Sequence, residues 1–98
     1  MYRTNDFLQF YGKENYGRPT RLCVFEGGND YWIEDGLPLN GVDFDKHGNS
    51  VQIMLGDELT HVIKEVKNIK ISFSASGLND GLDITDAEGK TTVLRFEN

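Results

Sequence analysis

Apolar side chains fall along this chain in two rhythms, and the first is helical. In TNDFLQFYGKENYG, the residues Phe7, Leu8, Phe10 and Tyr11 recur at three- and four-residue spacing, which predicts a short amphipathic helix with an aromatic stripe facing a core. Thr4 or Asn5 can cap it by accepting a backbone N–H. Gly12 weakens the second half, so about two turns before Gly17 is the expected length.

From Arg18 onward the rhythm shortens to that of strands. RPTRLCVFE is a β-rich run, and Pro19 suits its first position, where no ladder donor is needed. GGND reads as a turn, YWIE as a short strand, and DGLPLNG as a loop with two glycines and a proline. VDFD and SVQIML follow as two extended segments joined by KHGN. DELTHVIKEVKN fits no single rhythm: Asp57 can cap a short helix, but Val62, Ile63 and Val66 suit extended or irregular chain, which is the expectation here. IKISFS alternates strictly, with Ile69, Ile71 and Phe73 on one face and Lys70 and Ser72 on the other. ASGLNDG is a loop, and LDIT and TTVLRF flank DAEGK as a closing hairpin with Leu82, Ile84, Leu94 and Phe96 turned inward.

Every connection is of turn length, whereas parallel pairing needs crossovers of a dozen residues or more. The expected fold is therefore α+β: residues 1–98 as a single domain, with an N-terminal helix packed on a mostly antiparallel sheet of six or seven short strands. The helix supplies the cover that one sheet face needs, with Phe10 expected on Ile69, Ile71 and Ile84. A partly closed small β-barrel with one helix is the alternative. In an open sheet the first strand is guarded by Arg18, Pro19 and Arg21, while TTVLRF carries only Arg95. That closing strand is the expected free edge, and a homodimer through it the expected assembly.

Charge narrows the partners. Sixteen acidic residues against ten basic ones give a formal net charge of −6, which repels polyanions and makes nucleic acid and anionic membranes poor partners. Lys64, Lys67 and Lys70 form the one local basic cluster and read as a solvated face. Cys23 is the sole cysteine, so no internal disulfide is possible; in LCVF it reads as a small buried hydrophobe. The start lacks the basic and apolar regions of a signal peptide, and no run of 18 apolar residues occurs. A cytoplasmic setting is expected.

Reactive chemistry is sparse. VDFDKHGNSV spaces Asp43 and Asp45 like the first ligands of a calcium loop, but the fifth position is His47 and the twelfth, which must be a bidentate glutamate, is Met54. Lys46-His47-Gly48-Asn49 is instead what a hairpin turn wants. GKTT at 89–92 resembles the end of a phosphate-binding loop, yet position 84 is Ile where that motif needs Gly, and the preceding DAE would repel phosphate. No pattern brings Cys23 to His47 or His61, so neither a nucleophile with its base nor a zinc set is indicated. No catalytic residue, metal ligand or cofactor is assigned. The binding candidates are Tyr31 and Trp32 in GGNDYWIEDGLPLNG, an aromatic pair between glycine turns. Against that stands a simpler reading, in which Trp32 packs into the core.

GRP opening a strand, LPL-x-G leading into a strand and hairpin, TH-x-I after it, and a closing DAEG-x-T hairpin with LRF occur in that order. Over about residues 17–96 the chain resembles a family of small bacterial proteins classed only as a domain of unknown function. It departs from the family pattern in extra acidic residues around Glu34-Asp35. The resemblance implies a bacterial source and no assigned activity. The functional expectation is a non-enzymatic protein-interaction or accessory module. The alternative is a small-molecule binder with a pocket between helix and sheet lined by Phe7, Phe10, Tyr11 and Trp32.

Overall fold

The computed structural model describes the backbone of residues 4–97 and the side chains of residues 6–97. One helix, α1 (Thr4–Glu14), precedes seven strands: β1 (Pro19–Glu26), β2 (Asn29–Asp45), β3 (Ser50–Leu55), β4 (Leu59–Ile63), β5 (Val66–Phe73), β6 (Asn79–Asp86) and β7 (Thr91–Phe96). All pair antiparallel in one sheet of order β4-β3-β2-β1-β7-β6-β5. The fold is the expected α+β arrangement, and the sheet does not close into a barrel.

Three expectations about the elements are corrected. The helix runs 11 residues, a turn longer than Gly12 suggested, and the side chains proposed to cap it lie outside the described residues. YWIE, the presumed DGLPLNG loop and VDFD are one 17-residue strand. Pro38 sits inside it without breaking the ladder because it lies opposite Pro19, at the end of the β1–β2 pairing, where neither N–H is missed. From Leu39 onward β2 turns to pair with β3 instead, so one strand serves both halves of the sheet. Finally, β7 is no edge: it lies between β1 and β6, with Cys23 opposite Val93 and Leu94 opposite both Leu22 and Leu82. The edges are β4 and β5, so a dimer through the closing strand has no open ladder to use.

Those two edges are neighbours in sequence. Only Lys64 and Glu65 join β4 to β5, with Glu65 at a φ of 53°, so the sheet coils until its ends nearly meet. The corner is pinned by side chain and main chain together. Val66 N–H donates to Asn49 O (2.9 Å), Asn49 Nδ2 donates to Val66 O (2.6 Å), and Ala87 N–H donates to Glu65 O (2.8 Å). Beyond this corner no ladder joins β4 to β5 among the described residues. The extended reading of the ambiguous 57–68 segment is what β4 and the start of β5 form.

The core lies inside the coil, with Leu22, Leu39, Ile53, Leu82, Ile84 and Leu94 fully buried. α1 closes its mouth through Leu8, Tyr11 and Asn15, spaced three and four apart, with Phe7 packed beside them. The helix lies tight on β2 because Gly12 has no side chain: a Cβ there would sit 2.9 Å from Val42 N. Phe10, one hundred degrees off that stripe, is 60% exposed and does not reach the Ile69–Ile71–Ile84 face. Phe7, Leu8 and Tyr11 take the place expected of it.

Candidate functional site

Pressed onto β2 on one side, α1 stands off from β5 on the other, and an open cleft of about 460 Å³ lies between them. Phe7, Phe10, Tyr11 and Glu14 line it from the helix, Ile71 and Phe73 from β5, Leu78 from the β5–β6 loop and Asn79 from the start of β6. Phe73 is 62% exposed and Leu78 69%, so together with Phe10 three large apolar side chains stand in water around one cleft. Such grouping is the exception on a soluble surface, where apolar side chains are usually scattered.

The cleft has a built polar floor. Tyr11 Oη donates to Asn79 Oδ1 (2.8 Å), the same oxygen that accepts from Gly81 N–H (3.2 Å). Asn15 Nδ2 donates to Tyr11 O (2.9 Å), and Arg18 donates to Asn15 Oδ1 (2.9 Å). The Arg18 guanidinium also lies 4.1 Å above the Phe96 ring, which stacks on Tyr11 at 6.2 Å. Burial pushes the Tyr11 hydroxyl up to about 12, although its bond to Asn79 and the nearby Arg18 pull the other way. Gly81 is required here by the close approach of β7. A Cβ at that position would sit 1.8 Å from Leu94 O, so any side chain would force β6 off β7.

A second cleft, also about 460 Å³, opens where the sheet fails to close, between β4 and the β6–β7 turn. It gathers Tyr31, His61, Glu65, Asp86 and Lys90. Burial lowers the pKa of His61, and the positive charge of Lys90 lowers it further, so the imidazole is held neutral. Lys90 Nζ lies 3.9 Å from Asp86 Oδ2, while the other Asp86 oxygen accepts from Glu88 and Lys90 N–H and shapes the turn. Cys23 is buried in β1, its Sγ 4.0 Å from Val24 O, and no hydrogen bond joins it to either histidine among the described residues.

Strand alternation separates the two sequence candidates. Tyr31 lines the His61 cleft; Trp32, 61% exposed, lies outside it with the Arg21 guanidinium 5.5 Å from its ring. Trp32 is therefore neither a core residue nor a wall of the helix cleft, and its expected place beside Phe7, Phe10 and Tyr11 is corrected. Sequence reasoning placed Phe73 on the face of Ile69 and Ile71 without naming it as a site residue, and it missed Leu78. The Asp43–Asn49 segment is the expected hairpin: Asp45 pairs with Ser50, Asp45 Oδ1 accepts from His47 N–H (3.0 Å), and Asp43 Oδ1 accepts from Gln9 Nε2 (3.2 Å). No helix among the described residues is long and apolar enough to cross a membrane.

The fold and its clefts define a small α+β domain with an aromatic groove beside its helix. The chain belongs to the family described as Family of unknown function (DUF5335), whose model matches residues 29–98. That match spans β2 to β7 and so takes in β5, Phe73, Leu78 and Asn79, while α1 and β1 precede it. No curated protein and no solved structure matches the chain.

Proposed function

We propose that the chain is a non-enzymatic protein-interaction module that receives a segment of another protein in the cleft between α1 and the β5–β6 loop. The observation that carries this reading is the exposure of Phe10, Phe73 and Leu78 around one groove. Aromatic anchors set in a preformed groove are what concentrates binding energy at protein interfaces. A small-molecule site is favoured by the convergence of Asn15, Arg18 and Asn79 on the floor of the cleft. Asn15 and Asn79 are, however, already bonded to Arg18, Tyr11 and each other, whereas a small-ligand pocket needs polar groups left free to orient its guest. The sole, buried Cys23 and the resemblance to bacterial proteins support a bacterial cytoplasm as the setting.

The test is selection from a displayed library of random peptides on the wild type and on the Phe10→Ser/Phe73→Ser double variant. Both residues are mostly exposed, so the variant should melt as the wild type does. Peptides that hold the wild type and not the variant are expected; peptides that hold both equally would reject the cleft as the docking site.

A further inference from the structure

We infer that the occupant of this groove is an extended, acidic segment of a partner protein that adds to the free edge of β5 as an eighth strand, between β5 and α1. This inference rests on the docking role proposed above and specifies its geometry and chemistry. Two cavities lie along the same edge: the cleft already described and a neighbour of about 410 Å³ that Phe7 also lines. The neighbour touches Val66, Lys67, Asn68 and Ile69 in succession. The cavity is walled on its other side by Phe7, Phe44 and Asn49 and by no residue of β6, so it lies on the side of β5 that its partner strand leaves open. Together the two cavities touch residues 66–69, Ile71 and Phe73 of β5; α1 walls the first, and Phe7 with Phe44 and Asn49 walls its neighbour.

The edge itself is open. Apart from the pin between Val66 and Asn49, the main chain of β5 pairs only with β6 among the described residues. An added strand would find main-chain donors and acceptors beneath it and side-chain pockets beside it, which is how strand addition divides affinity from specificity. At eight residues, β5 offers more of that edge than β4, which has five and no helix alongside.

Charge selects the occupant. In a chain of net charge −6, β5 reads VKNIKISF, with Lys67 and Lys70 and no acid, and Lys64 just precedes it. Lysines on an edge also guard against unwanted pairing. That role accounts for Lys67 and Lys70 but not for the aromatic wall at the other end of the same groove. A second copy of this chain would bring the same lysines to both sides of the seam, like charge against like. The favoured segment therefore places aspartate or glutamate opposite Lys67, the lysine that lines the groove, and large apolar side chains against Phe10 and Phe73.

Random twelve-residue peptides displayed on phage are the probe. The selected peptides should be rich in acidic and alternating apolar residues. Methylating their backbone nitrogens at alternate positions should abolish binding, since that removes ladder donors without changing side chains. Lys67→Glu with Lys70→Glu, at unchanged melting, should weaken binding by about tenfold through lost attraction and added repulsion. Amide exchange along β5 should slow in the complex. Peptides lost on Phe10→Ser/Phe73→Ser yet indifferent to N-methylation would end the strand-addition inference and leave the docking role standing. Peptides indifferent to every variant, or none selected, would end both. Light scattering that shows a dimer with β5 protected and no peptide present would assign the edge to a second copy and overturn the inference.

Discussion

At the scale of single residues, Tyr11 joins the stability of this domain to its candidate site. Its ring stacks on Phe96 and its hydroxyl bonds Asn79, the residue that also holds Gly81 N–H at the bulge of β6. Because burial raises its pKa from 10 to about 12, the neutral phenol is favoured by folding. The stabilisation is whole below pH 10 and is lost as pH rises through about 12. Ultraviolet titration of the folded protein should therefore show one of the four tyrosines ionising late, and Tyr11→Phe should remove that late step. A late step that survives the substitution would place the buried hydroxyl elsewhere. Phe10 and Leu8 form a second contrast on the same helix. Leu8→Ala should cost about 2–5 kcal/mol in urea unfolding, as truncation of a fully buried leucine does. Phe10→Ala should cost well under half as much, because that ring is mostly in water.

At the scale of elements, periodicity was enough to find nearly every strand and could not order them. The helix, the hairpin at Lys46–Asn49 and the closing hairpin at DAEGK follow from local spacing and turn chemistry, which operate within a few residues. The stripe on α1 was legible as aromatic, but four apolar positions in five residues do not all fit one face, and the choice of Phe7 over Phe10 for the packed face was decided by where β2 lies. β2 escaped recognition because Gly36, Pro38 and Gly41 read as punctuation. Pro38 and Gly41 are each fitted by a neighbour, as Pro19 fits Pro38 and the helix fits Gly41 at Gly12, while Gly36 supplies a φ of 95°. The β1–β7 pairing joins residues some seventy positions apart, a contact that no local rhythm encodes. Its consequence is measurable by native-state hydrogen exchange. Amides of β1 and β7, paired on both sides, should be the slowest to exchange, and outward amides of β4 and β5 the fastest. Rapid exchange in β7 would mean that the sheet is ordered differently.

At the scale of the whole molecule, the coil of the sheet explains where the His61 cleft and the helix cleft lie. One opens because the coil stops short of closing, and His61 sits in it; the other opens because the helix that plugs the mouth leans on β2 and away from β5. The chemistry of the candidate site was only half legible. Phe7, Phe10 and Tyr11 were named in sequence as walls of a helix pocket, and they are. Trp32 was named with them, and strand parity sends it to the far side of the sheet beside Arg21. Proximity in sequence suggested a shared role for Tyr31 and Trp32; in a strand it guarantees opposite faces.

The order of the strands also says how this molecule can be taken apart. β1 is threaded between β2 and β7, yet its connection to β2 is the exposed Gly27–Gly28 turn, and α1 and β1 both lie before that turn. A chain cut at that turn becomes a plug and a socket. Residues 29–98 alone would carry a gap one strand wide with two raw ladders facing it, and should be loosely folded and prone to clump. A peptide of residues 1–28 should restore it, supplying β1 to the gap and α1 to the mouth in one step. Recovery of native circular dichroism on mixing the two pieces at equal concentration, with no recovery from a peptide in which Leu22→Asp spoils the inserted strand, is the expected result. A socket fragment that is already native without its plug would mean that β2 and β7 can pair directly. The domain would then be held together by reclosure, not by the threaded strand.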